Sequence, residues 1–224
     1  MLDIIIPSYN CAEKLAAAVE SVRVGTKRGW KMFVIDNASE DGAREWLMEQ
    51  GDLCTTFNDT NEGFSRATNQ GIRLSMRNPC SEWTVLMNND ILVPDAWDLT
   101  MLNVLAKCPK VKICSPLLLK PRGRHTPRDQ IKRAHSEWGP NRMKDVDWLG
   151  LSCAFVHKKV WQRYGLLRDD RRYWHWGSDA DLCRRLLVRG QDGWRVCYYT
   201  GLGVMHFHSA ARKYLADKRR KQGQ

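Results

Sequence analysis

Three short polar segments each follow an apolar run that has the length of a buried strand. They are Pro7–Asn10, Asp36–Ser39 and Asn88–Asp90. In the last of them, Asn88, Asn89 and Asp90 place three oxygen-bearing side chains in a row. A hard cation such as Mg²⁺ or Mn²⁺ binds few carboxylates and completes its shell with water and phosphate oxygens. Asp90 together with a diphosphate ligand meets that requirement, and the alternative is a plain polar turn after a strand.

The apolar periodicity predicts the elements that position these segments. Strands are expected at Leu2–Ile6, Met32–Ile35 and Trp83–Met87, and helices at 12–24, 41–50 and 64–77. Strands that alternate with helices indicate an α/β fold with a mostly parallel central sheet flanked by helices. Ligands of such sheets bind outside the carboxyl ends of the strands, so the three polar segments are predicted to line one site.

Residue types at the helix starts predict how the first two helices begin. Asn10 is expected to cap the first helix, and Ser39 or Asp41 the second, because a short polar side chain can accept a hydrogen bond from the first free N–H groups. The second half is less regular. Its predicted elements are a strand at Leu149–Val156, helices at 159–165 and Ser178–Arg189, and strands at Val196–Tyr199 and Val204–Phe207. The proline-rich and basic stretch 107–133 is predicted to be mostly loop.

The positive charge is concentrated in the second half of the chain. The 224 residues carry a formal net charge of +11, but residues 1–100 have a net charge of −6 and residues 101–224 a net charge of +17. Such a division indicates two functions on two surfaces and a polyanionic partner for the second half. The alternative is a basic protein without an anionic partner.

Composition excludes several classes of protein. Ten Trp residues and regular apolar runs exclude disorder as the main state. No stretch has the roughly 18–20 apolar residues of a membrane span, and the apolar run at the start ends at Pro7 without the basic residues of a signal peptide. The eight Cys residues form no Cys-x-x-Cys pair, which argues against a zinc ribbon. A reducing cytoplasm, that of a host cell if the protein is viral, is the expected location.

Seven motifs in order resemble those of the family 2 glycosyltransferases of the GT-A fold, especially the rhamnosyltransferase-like members. They are Ile4–Asn10, Val34–Gly42, Asn61–Gly71, Leu86–Asp90, Gly150–Val156, Gly177–Arg185 and Val204–His206. The resemblance implies one GT-A (Rossmann-like) domain over 1–208, followed by a basic tail over 209–224. Within the domain, 1–100 is the expected nucleotide-sugar-binding half and 101–208 the basic, acceptor-binding half.

The resemblance assigns the residues that bind the nucleotide sugar. Pro7, Tyr9 and Asp36 match the positions that hold the base and ribose; Tyr9 offers a stacking face, and Asp36 can accept from a base N–H or a ribose hydroxyl. Asp36 can instead cap the turn that follows it. The further matched donor-binding positions are Asn61, Gly63, Asn69, Asn88 and Asn89.

The resemblance also implies a divalent metal and a catalytic base. In the family's Asp-x-Asp motif the first acid is here Asn88, which leaves Asp90 as the direct metal ligand, and His206 matches a position that often completes the site. Asp179 matches the catalytic base that deprotonates the acceptor hydroxyl. Structural roles are the alternatives: His206 at the end of a strand, and Asp179 as an acid at the start of a helix.

Aromatic residues beside the predicted base suggest how the acceptor binds. Trp148 and Gly150 lie on the matched acceptor-side segment, and Trp174 and Trp176 directly precede the base motif. Such rings can stack on a sugar or a nucleobase, although some of them are expected to fill the core.

The resulting expectation is a metal-dependent, inverting hexosyl- or pentosyltransferase that uses UDP-sugar or another nucleotide sugar. The acceptor expected from the charge is a hydroxylated base in DNA, as in some bacterial viruses. The alternatives are a cell-envelope glycan or lipid-linked saccharide, and a non-catalytic nucleic-acid-binding module on the same fold.

Overall fold

The computed structural model describes residues 1–121, 127–170, 173, 177–189 and 192–207. Nine strands lie in this part of the chain: β1 (Leu2–Ser8), β2 (Trp30–Asp36), β3 (Cys54–Phe57), β4 (Trp83–Met87), β5 (Ile91–Leu92), β6 (Val111–Leu119), β7 (Met143–Asp145), β8 (Cys153–His157) and β9 (Arg195–His206). The helices are α1 (Ala12–Gly25), α2 (Ala43–Met48), α3 (Phe64–Met76), α4 (Trp97–Lys107), α5 (Pro127–Trp138), α6 (Lys158–Tyr164) and α7 (Ser178–Arg189).

One sheet connects all nine strands in the order β3-β2-β1-β4-β8-β6-β9-β5, with β7 on β9. The first four strands are parallel, as the alternation of strands and helices predicts. β8 is antiparallel to both β4 and β6, and β9 is parallel to β6, so the second half of the sheet is mixed. The predicted α/β architecture with flanking helices is therefore present.

Apolar layers cover both faces of the sheet. Along β1, Ile4 and Ile6 belong to the layer that also contains residues of α1 and α4, whereas Ile5 belongs to the layer with residues of α3, α6 and α7. Alternate side chains of a strand point to opposite faces, and burial on both faces explains the continuous apolar runs of these strands. Gly71 of α3 packs so closely on the sheet that a Cβ there would lie 2.4 Å from Cγ2 of Ile5.

The loop prediction for 107–133 is wrong for most of this stretch. β6 occupies Val111–Leu119, and α5 begins at Pro127; residues 122–126 lie outside the described part. Val111, Ile113 and Leu119 are buried in the sheet, and this apolar alternation outweighs the prolines. Pro116 is accommodated where the pairing with β9 changes register.

The predicted cap at Asn10 is also wrong. Asn10 adopts a left-handed conformation (φ 58°), and α1 begins after Cys11 without a side-chain cap from its own segment. A carboxylate oxygen of Asp41 accepts from the Ala12 N–H at 2.9 Å instead, so the loop after β2 caps α1 from a distance. The same side chain accepts from the Ala43 N–H at 3.3 Å, although Gly42, and neither Ser39 nor Asp41, occupies the cap position of α2.

Other differences concern short or joined elements. The sequence does not predict β3, because its four residues are only half-buried and include two Thr, so they form no apolar run. The two strands expected at 196–199 and 204–207 are one strand, β9, that continues through Gly201 and Gly203. No helix in the described ranges has the length and apolarity required to cross a membrane.

Candidate active site

The carboxyl ends of β1, β2 and β4 are neighbours in the sheet, and the three predicted polar segments therefore meet at one edge. Pro7 pairs with Ile35 and Ser8 with Asp36, which places Tyr9 next to the turn that follows β2. Asp36 is fully buried, and both of its carboxylate oxygens lie 3.3 Å from the Ser39 N–H. Asp36 thus caps its own turn, which is the structural role that the sequence also allowed.

Asn10 joins the first two segments. Its N–H donates to Ser39 Oγ at 2.8 Å, and its Oδ1 accepts from the Glu40 N–H at 2.8 Å. Its Nδ2 is buried and has no hydrogen-bond partner among the described residues. An unpartnered donor at the ligand edge of the sheet marks Asn10 as a candidate ligand-binding residue. The sequence predicts only a capping role for Asn10, although the residue ends one of the matched motifs.

Asn37 positions the segment that contains Asn61 and Gly63. Its Nδ2 donates to Asn61 Oδ1 at 2.7 Å, and its Oδ1 accepts from the Glu62 N–H at 2.9 Å. Asn61 Oδ1 also accepts from the Gly63 N–H at 2.9 Å. Gly63 immediately precedes α3 with φ 81°, a conformation that side chains rarely adopt. Asn61 and Gly63 therefore lie at this edge in a loop held by Asn37.

Asn69 has a well-defined structural partner. Its Oδ1 accepts from the Leu167 N–H at 3.0 Å, and its Nδ2 donates to the Leu167 carbonyl at 2.8 Å. The side chain is buried, so both ends of its amide are used to hold the segment at 167 against α3. This arrangement favours a positioning role over direct contact with a nucleotide.

Asn88 and Asn89 follow β4 and connect it to its neighbours. The Asn88 N–H donates to the Ser152 carbonyl at 2.8 Å. The Asn89 Nδ2 donates to Ser8 Oγ and to the Asn10 carbonyl, both at 3.1 Å. These bonds hold the third polar segment against the first.

Asp90 and His206 lie together in the fold. β5 pairs antiparallel with the end of β9, so that Ile91 is opposite His206, and His206 Nε2 lies 3.3 Å from Asp90 Oδ1. Both side chains are at least nine-tenths buried, and Asp90 Oδ1 accepts no hydrogen bond from the described residues.

A divalent cation fits the donor atoms at Asp90 and His206. A buried carboxylate oxygen without a hydrogen-bond donor and an adjacent imidazole are oxygen and nitrogen ligands of the type that Mn²⁺ and Mg²⁺ sites contain. The described residues contain no cluster of three or more His, Cys, Asp or Glu side chains of metal-binding geometry. The remaining ligands would therefore have to come from water or a bound diphosphate.

Asp179 opens α7 beside the segment at 149–152. A Cβ on Gly150 would lie 4.0 Å from Asp179 Oδ2, so Gly150 borders this carboxylate. Burial raises the pKa of Tyr198, and the nearby charge of Asp179 adds to that shift. Because Ser152 binds Asn88, one short segment connects the Asp179 region to the Asn88 region. Asp181 instead pairs with Arg185 at 2.8 Å.

Of the three Trp residues predicted to bind the acceptor, the structure describes one. Trp148 is 59% exposed and lines a cleft with Tyr173, Gly177 and Arg184 on the outer side of α7. Its exposure excludes the alternative that it fills the core. Trp174 and Trp176 lie outside the described residues, as do the basic residues of the tail at 209–224.

Ion pairs with Asp and Glu neutralise part of the positive charge of the second half. These pairs are Arg133–Glu137, Arg163–Asp192, Arg168–Asp170, Arg185–Asp181, Arg195–Asp145 and Lys158–Asp3. Lys112 and Lys159 lie at the amino edge of the parallel strands, opposite Asp90. Burial and the nearby Lys159 lower the pKa of Lys112. The charge is thus distributed over both edges of the sheet, and the polyanionic partner stays a prediction.

The chain is similar to known proteins in both its sequence and its fold. The profile described as "Glycosyl transferase family 2" matches residues 3–164. An uncharacterized glycosyltransferase of Haemophilus influenzae is 28% identical over 93 residues, which are 40% of this chain and 29% of that protein. One of Rickettsia typhi is 28% identical over 107 residues, 48% of this chain and 32% of that protein. The chain spans about a third of the length of these curated relatives.

Solved structures share the fold at low sequence identity. GalNAc-T7, crystallised with UDP, GalNAc and Mn²⁺, matches with a TM-score of 0.73 and 15% identity over 93% of this chain and 44% of its own. Residues 1–349 of S. aureus TarS in complex with UDP match with a TM-score of 0.68 and 12% identity, over 95% of this chain and 62% of that one. The predicted GT-A type of α/β fold is confirmed.

Proposed function

The chain belongs to glycosyl transferase family 2, and from this premise we propose that it transfers a sugar from a nucleotide-sugar donor to an acceptor hydroxyl. The single observation that carries the proposal is the position of Asp90 beside His206 at the carboxyl edge of the parallel strands. A binding module has no use for a buried Asp90 Oδ1 that accepts no hydrogen bond from the described residues, because such an oxygen costs free energy unless a ligand compensates it.

The donor binds in this proposal between the loops after β1, β2 and β4, within the half formed by 1–100. Tyr9 and Asp36 contact the base and ribose, and Asn61, Gly63 and Asn88 border the diphosphate. The unpartnered Nδ2 of Asn10 supplies an additional donor for an acceptor atom of the nucleotide. Pro7, Asn69 and Asn89 act here by holding the loops in place. UDP is the proposed nucleotide, because it is bound in the GalNAc-T7 and TarS complexes.

Asp90 and His206 would hold a divalent cation, Mn²⁺ or Mg²⁺. The cation supplies charge that stabilises a departing nucleoside diphosphate. The presence of Mn²⁺ with UDP in the GalNAc-T7 crystal supports this assignment. His206 and Asp90 themselves are positioned by the β5–β9 pairing and require no further movement of the sheet.

Asp179 acts as the general base. Its Oδ1 accepts from the Ala180 N–H at 2.8 Å, and its Oδ2 faces Gly150. The carboxylate takes the proton of the acceptor hydroxyl as that oxygen attacks the anomeric carbon from the side opposite the leaving diphosphate. A single displacement of this kind inverts the configuration at that carbon. Gly150 leaves room for the acceptor, and Trp148 offers an exposed ring next to it.

The proposed acceptor is a hydroxylated base in DNA, bound by the half formed by 101–208. The net charge of +17 after residue 100 supports a polyanion, since Lys and Arg bind phosphate backbones without reading sequence. Trp174, Trp176 and the basic tail at 209–224 are assigned to the acceptor by sequence alone.

A transfer assay tests the proposal. The protein is incubated with Mn²⁺ and radiolabelled UDP-sugars, and the acceptors are duplex DNA with hydroxymethylated pyrimidines, unmodified duplex DNA and lipid-linked saccharide. We expect label in the hydroxymethylated DNA, with an affinity that falls steeply as salt rises. Transfer only to the lipid-linked saccharide contradicts the DNA acceptor. DNA binding without donor hydrolysis or transfer contradicts the proposed transferase activity and favours the non-catalytic module.

A further inference from the structure

The loop between β3 and α3 contains no residue with an apolar side chain. Its residues are Asn58, Asp59, Thr60, Asn61, Glu62 and Gly63. Burial of apolar surface is the main force that fixes a segment in a fold, and this segment has no such surface to bury. The position of the 58–63 loop, which borders the diphosphate in the proposed function, therefore depends on hydrogen bonds.

Neighbouring side chains leave space beside this loop. A polar cleft of about 400 Å³ borders it, and Thr60, Glu62 and Gln70 are among the residues that line the cleft. Glu62 also pairs with Arg66 of α3 at 3.0 Å, but the Arg66 side chain is 57% exposed, and ion pairs of exposed side chains contribute little. The free space allows the 58–63 loop to move unless another contact holds it.

Asn37, directly after β2, contacts the loop with every hydrogen-bonding position of its side chain. Its Nδ2 donates to Asn61 Oδ1 at 2.7 Å and to the Gly63 carbonyl at 3.3 Å. Its Oδ1 accepts from the Glu62 N–H at 2.9 Å and from Asn58 Nδ2 at 3.0 Å. An amide has two donor hydrogens and two acceptor positions, so the side chain is fully used. The orientation of this one amide therefore sets the position of the loop.

Gln70 of α3 holds Asn58 in a reciprocal amide pair. Asn58 Nδ2 donates to Gln70 Oε1 at 3.0 Å, and Gln70 Nε2 donates to Asn58 Oδ1 at 2.9 Å. The next residue of the helix is Gly71, which packs closely on Ile5 of the sheet. A chain of amides thus runs from a firmly packed part of α3 through Gln70 and Asn58 to Asn37.

We propose that Gln70 is a positioning residue for the nucleotide-sugar donor. It holds the 58–63 loop through Asn58 and Asn37 and does not itself contact the donor. A loop that is fixed before the donor arrives loses less conformational freedom on binding, which strengthens the binding. This inference rests on the proposed function with respect to the donor, but the support of the loop by Gln70 can be measured without any ligand.

The first experiment measures amide hydrogen exchange in the ligand-free protein. The Glu62 N–H, which donates to Asn37, should exchange about fivefold faster or more in Gln70→Leu than in the wild type, the equivalent of one lost hydrogen bond. Leu forms helices as well as Gln does, so α3 should stay intact. The matched control is Arg73→Leu, at an exposed side chain one turn further along α3 that makes no hydrogen bond or ion pair with a described residue. Its exchange should equal that of the wild type, and equal exchange in Gln70→Leu overturns the proposal.

The second experiment measures donor binding and turnover. Gln70→Leu should raise the Kd of UDP in the presence of Mn²⁺, and the KM of the UDP-sugar, about fivefold or more, while kcat stays near that of the wild type. A residue that only stabilised the fold would change neither constant in the folded protein. Arg73→Leu should match the wild type in all three quantities. An unchanged Kd in folded Gln70→Leu overturns the proposal.

A double variant tests whether Gln70 acts through Asn58. Asn58→Ala removes the same amide pair together with the bond to Asn37. Adding Gln70→Leu to Asn58→Ala should not weaken UDP binding further, because the contacts of one network are not lost twice. Increases in Kd that multiply would show independent effects and overturn the proposal. A wild type that binds no UDP contradicts the proposed function, whereas the exchange rates in the ligand-free protein decide on the support by Gln70 in either case.

Discussion

His206 Nε2 lies 3.3 Å from Oδ1 of Asp90, although the two residues are far apart in the sequence. The contact depends on the two-residue strand β5, which pairs with the last residues of β9, and on the bond from the Phe207 N–H to the Asp90 carbonyl. Because these backbone bonds fix both residues, the carboxylate and the imidazole are held together before any cation binds.

Replacement of Asp90 by Asn is expected to remove the binding of Mn²⁺ without unfolding the protein. The wild type should gain thermal stability when Mn²⁺ and UDP are added together, because a ligand that binds only the folded state stabilises it. Asp90→Asn should lose this gain, and Asp95→Asn, at an exposed acid nearby, should keep it. Differential scanning fluorimetry measures the shift. An equal gain in wild type and Asp90→Asn would exclude Asp90 as a metal ligand.

Replacement of Asp179 by Asn is expected to abolish catalysis and preserve donor binding. Loss of a general base lowers turnover by about 10²- to 10⁴-fold, whereas UDP binds on the opposite side of the site in our proposal. The matched control is Asp181→Asn, two positions along the same helix, whose carboxylate pairs with Arg185. Its turnover should stay near that of the wild type. Calorimetry with UDP and a steady-state transfer assay give the two quantities, and normal turnover in Asp179→Asn removes it from the mechanism.

Lys158 and Asp3 form a buried ion pair that stabilises the fold. Lys158 Nζ lies 2.8 Å from Asp3 Oδ2 and donates to the carbonyls of Ser75 and Asn78, and Asp3 is fully buried. Lys158→Met leaves the carboxylate without its cation and should cost about 3–5 kcal/mol of unfolding free energy. The exposed neighbour provides the control Lys159→Met, which should cost little. Urea denaturation measures both, and similar midpoints for the two variants contradict this role.

His157 is expected to make the stability of the protein depend on pH. Burial and the charge of Lys112 lower its pKa to about 4, from an ordinary value of 6.5. Between these two values the unfolded state binds the proton and the folded state does not, so the unfolding free energy falls as the pH falls through that range. His157 Nδ1 also accepts from the Lys159 N–H at the start of α6, and protonation abolishes this acceptor.

His157→Asn tests that prediction because Asn keeps an acceptor at the start of the helix and does not titrate. Unfolding free energies from urea titrations at pH 7 and pH 5 should decrease less in the variant than in the wild type. Carboxylates that titrate near pH 5 affect both proteins alike, so the difference between them isolates His157. Equal decreases would show that the pKa of His157 does not differ between the folded and the unfolded state.

Much of the candidate site was predictable because it depends on local patterns. Asp36 and Asp90 follow continuous apolar runs, and parallel strands deliver their carboxyl ends to one edge. The position of Asp179 followed from a motif at the start of a recognisable helix. Asn10 was misassigned because a capping residue and a loop residue with a left-handed backbone have the same composition preferences, and only its bonds to Ser39 and Glu40 distinguish them.

The loop prediction for residues 107–133 was wrong for a different reason. Prolines and basic residues weigh heavily in a local reading, but β6 is stabilised by pairing with β8 and β9, which lie far away in sequence. The same pairing creates the floor of an apolar cleft under α5, which Leu117, Trp138 and Tyr198 line although they share no sequence pattern.

By itself, the sequence determined the α/β alternation, the polar strand ends and the family, because side-chain periodicity and short motifs are local properties. The tertiary structure alone decided that His206 lies beside Asp90, that Asn69 holds Leu167 and that Asp41 caps α1. Each of these contacts depends on strand register or helix packing between distant segments. That register follows from the burial of the whole sheet and is not encoded in any one segment.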